Sequence, residues 1–200
     1  MSLQPPPPAA PPTYPDLRQQ HERVEKQFRT ARVVALCGIF VLALVVALVP
    51  LLSQPGPDGL IVGAIIFIAI LALFGGMVLL SQNREHSRSG PAGHGPSSFG
   101  QVVTSAPGPQ VWEAINGALA EVKFAPGRPI DSQTVVSSRS LSMSSWGETL
   151  TIRIVGTADG RGLVTAWSRP ANPLQWLDYG RNRKFANTIL NAIPAATPVA

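Results

Sequence analysis

The chain has 200 residues, a formal net charge of +5 and one cysteine. That length allows one or two modest domains, and a lone cysteine excludes an intramolecular disulfide. The basic residues are mostly arginine, and Arg18, Arg23, Lys26, Arg29 and Arg32 gather just before an apolar run. Placed there they read as topology signals rather than as a nucleic-acid footprint, and no zinc-finger or RNA-binding motif accompanies them.

Residues 1–16 form a proline-rich head, expected to be extended and solvated. Within it Pro11-Pro12-Thr13-Tyr14 has the PPxY form that WW domains read, a form that also arises by chance in such tails. Asp16 is placed to cap a helix from Leu17, in which Leu17, Val24 and Phe28 share a face. Residues 17–32 are therefore expected as a juxtamembrane amphipathic helix. It lies at the headgroups or simply extends the first span.

Val33 to Leu52 and Leu60 to Leu80 carry no charged side chain. At about 1.5 Å per residue, each run covers the roughly 30 Å of a bilayer core. A cleaved signal peptide does not fit the first run, which has a long basic lead-in and no small-x-small site after Leu48-Val49-Pro50. The connecting residues 53–59 contain Pro55-Gly56-Pro57, which stops a helix and makes the two spans antiparallel neighbours. That loop has no Lys or Arg, whereas Arg84 and Arg88 follow the second span. Both ends are accordingly expected in the cytoplasm, with the chain multi-pass in the cell (inner or plasma) membrane.

Small residues recur in both spans, at Ala35, Ala43 and Ala47, then Gly59, Gly63, Ala72 and Gly76. They suit close packing of the hairpin on itself, with a homodimer as the alternative. Neither span holds an ionisable residue, so anchoring is expected rather than transport. The lone cysteine, Cys37, lies inside the first run. Residues 81–100 read as a flexible linker, in which His86 and His94 lack the converging partners a metal site needs.

From Gln101 a strand is expected to Ser105, then a helix from about Pro109 that buries Val111, Trp112, Ile115, Leu119 and Val122. Three strands follow, at Thr134–Met143, Glu148–Val155 and Gly162–Ser168. In the second, Leu150, Ile152 and Ile154 alternate with Thr149, Thr151 and Arg153, the mark of an antiparallel sheet covered on one side. Asp159-Gly160 signals the hairpin turn. Gln175–Ile193 contains the last helix, with Phe185, Ala186, Ile189, Leu190 and Ile193 on its apolar face. The expected fold is a membrane α-helical hairpin plus α+β, with two transmembrane helices, a two-layer βαβββα cytoplasmic domain over residues 101–195 and a tail over 196–200.

The stretch Val102-Val-Thr-Ser-Ala-Pro-Gly-Pro-Gln-Val-Trp-Glu-Ala-Ile115 resembles the opening of START-like helix-grip domains, in which a strand, a small-Pro turn and a Trp-bearing helix follow one another. The resemblance implies an apolar ligand between the sheet and the final helix. A compact module built for protein contacts is the other reading of the same residues.

Two clusters combine aromatic and arginine side chains, the pairing found at binding hot spots. They are Ser144-Ser145-Trp146-Gly147-Glu148 and Trp176-Leu-Asp-Tyr-Gly-Arg-Asn-Arg-Lys184. The candidate binding residues are Trp146, Glu148, Trp176, Arg181 and Arg183. Arg181 and Arg183 near a helix start are placed for an anion such as a lipid phosphate. The plain structural alternative puts both tryptophans in the core, makes Gly147 a bulge and Asp178 a cap. No histidine or cysteine occurs from residue 101 onward. That removes zinc sites, thiol chemistry and Ser-His-Asp catalysis there, and no phosphate-binding glycine loop appears. A hydrolase built on Asp and Glu remains as a distant option, with Glu148 and Asp178 as its carboxylates.

The expectation is a non-enzymatic membrane protein without metal or cofactor. Its partners are the lipid bilayer, a protein or a second copy of the chain, and an anionic lipid, with no nucleic acid. Abundant Ala, Pro, Gly and Arg with three lysines suggest a GC-rich bacterial source.

Overall fold

The computed structural model describes residues 17–86, 90–93, 95–141, 145–172, 175 and 177–199, with the second helix's side chains described to residue 80. The PPxY stretch, Asp16, Arg88, His94, Met143, Ser144 and Trp176 lie outside the described residues, as do the side chains of Arg84 and His86. The elements in order are α1 (Leu17–Ser53), α2 (Pro57–His86), β1 (Ser98–Thr104), α3 (Gly108–Glu121), β2 (Arg128–Pro129), β3 (Thr134–Arg139), β4 (Glu148–Gly156), β5 (Gly162–Pro170), α4 (Arg181–Ala192) and β6 (Ala196–Pro198).

Helix α1 runs unbroken for 37 residues, or about 55 Å. Residues 17–32 are thus a coaxial extension of the apolar run. Pro50 sits in its last turn, where it forgoes one hydrogen bond to residue 46 close to the helix end. The break before α2 is shorter than expected, because Pro57 occupies the first helical position, where it has no hydrogen bond to lose. Helix α2 also continues beyond Leu80 to His86, so the expected linker begins as helix.

Small residues bring the two helices together. Ala43 is fully buried. A Cβ on Gly63 would run into the Ala47 carbonyl, and one on Gly59 into that of Gln54. Phe40 and Phe67 meet edge to face at 5.6 Å. The apolar windows have mean hydropathies of 3.0 and 2.8, yet only 6% of each is buried. A core helix of a soluble protein hides such a surface. These two helices are long and apolar enough to cross a membrane, and they show that surface outward.

The carboxy-terminal domain is α+β. Its sheet is antiparallel, in the order β2-β3-β4-β5-β1-β6. The expectation of four strands is corrected by two short edge strands, each carrying a proline (Pro129 and Pro198) that suits an edge. Residues 196–198 are therefore a strand instead of a tail. The last helix starts at Arg181, because Tyr179 and Gly180 take left-handed backbone (φ 54° and 70°) that breaks any helix begun at Gln175.

Helices α3 and α4 cover one face of the sheet. Between them lie Val102, Ile115, Leu119, Leu150, Ile152, Val164, Ala166, Ile189 and Leu190. Each fully buried Leu or Ile contributes about 1.5–3 kcal/mol. Helix α4 lies close on β1, since a Cβ on Gly100 would stand 2.7 Å from Leu190 Cδ1.

Candidate functional site

The two clusters singled out in the sequence meet at one end of the domain. Glu148 opens β4 on the helix-covered face, in register with Arg139 and Pro170. It is 0% exposed, with Arg181 Nη2 3.3 Å from its Oε1. Neither carboxylate oxygen has a hydrogen bond. The pair is held by charge in a water-poor site, where loss of one partner strands the other.

The approach to Glu148 is tightly built. Gly147 has φ +92°, and a Cβ there would sit 2.9 Å from the Arg139 carbonyl. Only glycine fits both conditions. The Ser145 hydroxyl accepts the Gly147 N–H at 3.2 Å, and Gln175 Oε1 accepts the Trp146 N–H at 2.9 Å. On this fixed backbone the Trp146 side chain remains 56% exposed, with Leu141 at 74% nearby in the chain.

Asp178 prepares the start of α4. Its carboxylate accepts the Asn182 N–H at 2.9 Å and the Asn182 side-chain amide at 2.7 Å, while Ser168 Oγ donates to Asn182 Oδ1 at 2.6 Å. A carboxylate at a helix N-terminus is favourable both as a hydrogen-bond acceptor and against the dipole. Arg183 is also buried, and its Nε donates to the Ala92 carbonyl at 3.0 Å. Asn187 Oδ1 accepts the Ala92 N–H at 2.8 Å. The flank of α4 thus clamps the segment that follows α2. Of the predicted binding residues, Glu148, Arg181 and Arg183 have internal partners, Trp146 is exposed, and Trp176 lies outside the described residues. The buried tryptophan is Trp167, on the sheet face away from α3 and α4.

A second meeting place was missed by the sequence reading. His21 of α1 stacks on Phe99 with centroids 5.4 Å apart and presents its edge to Trp167 at 6.4 Å. His21 Nδ1 lies 3.0 Å from Ser97 Oγ, which accepts the Trp167 indole N–H at 2.8 Å. Burial pushes the His21 pKa below its ordinary value, against the pull of Glu25 and Glu22. Arg18 adds its guanidinium over the Phe99 ring at 5.8 Å. The available signal was spacing, since His21 falls on the same helical face as Leu17, Val24 and Phe28.

The sheet face opposite α3 and α4 is the third feature. The register lines up Ser138-Thr149-Arg169, Val136-Thr151-Trp167-Phe99 and Thr134-Arg153-Thr165-Gln101 across it. No strand position on this face carries Asp or Glu. Arg169 lies over the Trp167 ring at 5.1 Å, and burial lowers its pKa. The Nε atoms of Arg153 and Arg169 are buried without a hydrogen bond.

No family model, curated protein or solved structure matches this chain. Among the described residues no three His, Cys, Asp or Glu side chains converge as a metal site would require. Asp159 is committed to its turn, where hydrogen bonds from Arg161 and then Thr157 hold its carboxyl well below the usual range.

Proposed function

We propose that this chain is a membrane-anchored, non-enzymatic protein whose cytoplasmic α+β domain binds a protein partner through the outer face of its sheet, around Thr149, Arg153 and Arg169. The anchoring part rests on the two exposed apolar helices, which water solvates poorly and a bilayer solvates well. The topology rests on charge: basic residues precede the first span, whereas the 54–56 turn has none.

The observation that carries the binding part is the acid-free outer face, with the Nε of Arg153 and Arg169 buried and unbonded beside a row of threonines. Two part-exposed guanidinium groups on a face without Asp or Glu favour a carboxylate from outside. An acidic segment of a partner protein is the complementary occupant. The alternative, an apolar ligand gripped under α4, draws support from the way that helix lies across β5 and β1. It asks for room between helix and sheet, and at Gly100 the two are in van der Waals contact.

A photo-cross-linker at Thr149, in the full-length chain within its native membrane, tests this reading. It is expected to capture one protein reproducibly, through an acidic segment, and to lose it when Arg153 and Arg169 become glutamate. Capture unaffected by the charge reversal, or equal capture from Asn116 on α3, contradicts it.

A further inference from the structure

The way α1 meets the domain sets which end of the domain faces the bilayer. Arg18 reaches Gln101, whereas His21, further along α1 towards the apolar run, reaches Phe99 and Ser97. Descending α1 therefore leads towards the start of β1. The antiparallel register places the end of β5, the start of β4 and the end of β3 at that same end. The Glu148–Arg181 pair puts the start of α4 there too.

The composition of this end is distinctive. It carries Trp146 and Leu141, 56% and 74% exposed. Beside them stand Arg139 and the exposed Lys184, while Glu148 and Asp178 are buried and committed to internal partners. Among the described residues, the other acids on this side are Glu121 at the end of α3, next to Lys123 in the chain, and Glu22 and Glu25 on α1, where Arg23, Lys26 and Arg29 outnumber them. The opposite end holds the turns with Asp131, Asp159 and Arg161 and, among the described residues, no exposed tryptophan. Tryptophan with arginine and lysine is the composition that settles at a membrane–water interface.

The dimensions agree. Helix α1 climbs about 18 Å between Val33 and His21. The headgroup layer occupies about 5–7 Å of that height. From the Ser98–Ser168 row the sheet extends two residues to Glu148–Pro170, and Trp146 lies two residues beyond. At about 3.3 Å per residue this is about 13 Å towards the bilayer. The Trp146 rim arrives at the headgroups.

We infer that the Trp146–Leu141 rim, with Arg139 and Lys184 beside it, rests on an anionic bilayer surface. The domain is then held at three points: the α1 stalk, the clamped segment after α2, and the lipid headgroups. Its outer sheet face is turned sideways, along the membrane. The contact rests on the reading that α1 and α2 span the bilayer.

The test uses the full chain with Cys37→Ser and one spin label, reconstituted in vesicles of phosphatidylcholine with phosphatidylglycerol. Labels are placed at Leu141→Cys, at Ser132→Cys in the opposite turn, and at Ile68→Cys in the middle of α2. A water-soluble nickel chelate is expected to reach the Leu141 label severalfold less than the Ser132 label. That protection is expected to shrink in vesicles of phosphatidylcholine alone, and with Trp146→Ser. Equal access at Leu141 and Ser132, with Ile68 shielded, overturns the surface contact and leaves the anchor standing. Free access at Ile68 as well overturns both. Protection that is the same with and without phosphatidylglycerol overturns the anionic-lipid assignment.

Discussion

His21 stacks on Phe99 with an interplanar angle of 17°, so the helix that leads into the first apolar run is joined to the first strand of the domain. Ser97 completes the joint by accepting from Trp167 and facing His21 Nδ1. The Ser97 hydroxyl has two acceptor lone pairs and one proton, so it serves either tautomer at Nδ1 while it accepts from the indole, and the outer nitrogen of the ring is Nε2. That nitrogen points to Glu25, 3.7 Å away.

The joint should weaken in acid. The docked His21 has a pKa below the ordinary 6.5. The undocked form therefore takes up a proton first, and docking is strong above about 6.5 and is lost as pH falls towards the docked pKa. Glu22, Glu25 and Arg18 face His21 from its own helix, and no charged side chain lies in the Ser97–Phe99 segment at the start of β1. In detergent, Trp fluorescence should report release as pH falls below about 6.5. His21→Phe should keep the stack and flatten that pH dependence.

Arg181→Ala should cost about 3–5 kcal/mol, because it leaves the Glu148 carboxylate buried without a counter-charge. Glu148→Gln should be milder, since the partly exposed Arg181 retains access to water. Replacing both by leucine should recover most of the loss. Chemical unfolding of the three variants, followed by circular dichroism, checks the order.

How much of this was readable beforehand depends on the type of signal. The hairpin was legible because two long uncharged runs have few other uses, and β4 because Leu150, Ile152 and Ile154 alternate strictly. Strands β2 and β6 escaped because two or three residues with a proline leave no period to detect. Linear sequence shows Arg181 and Arg183 as a cluster and gives neither a direction. Only the packing of α4 reveals that one turns to Glu148 and the other to the Ala92 carbonyl. The His21 seam joins residues remote in sequence, and no local pattern announces such a pairing.

Gly100→Ala should destabilise the domain by about 1–3 kcal/mol through overpacking. The added methyl meets Leu190 Cδ1 at 2.7 Å, Ala92 Cα at 2.8 Å and the Pro91 carbonyl at 2.9 Å, and two of those three are backbone. Gly108→Ala, with nothing within 4 Å, is the matched control and should be close to neutral. Thermal unfolding of the pair distinguishes a specific clash from a general glycine effect.

Gly63→Leu should separate the apolar helices, because even a Cβ there overlaps the Ala47 carbonyl. Gly75→Leu, in open space, should not. A fluorescence-transfer pair across the hairpin should lose efficiency in the first variant alone.

The central claim is that the two apolar helices cross a membrane and leave the domain on the cytoplasmic side. Impermeant maleimide labelling of single cysteines in intact cells, in a Cys37→Ser background, tests it most directly. The account predicts that Gln54→Cys in the turn between the helices is labelled from outside, whereas Ser132→Cys in the domain is labelled only after permeabilisation. Labelling of Ser132→Cys in intact cells, or protection of Gln54→Cys there, would contradict it.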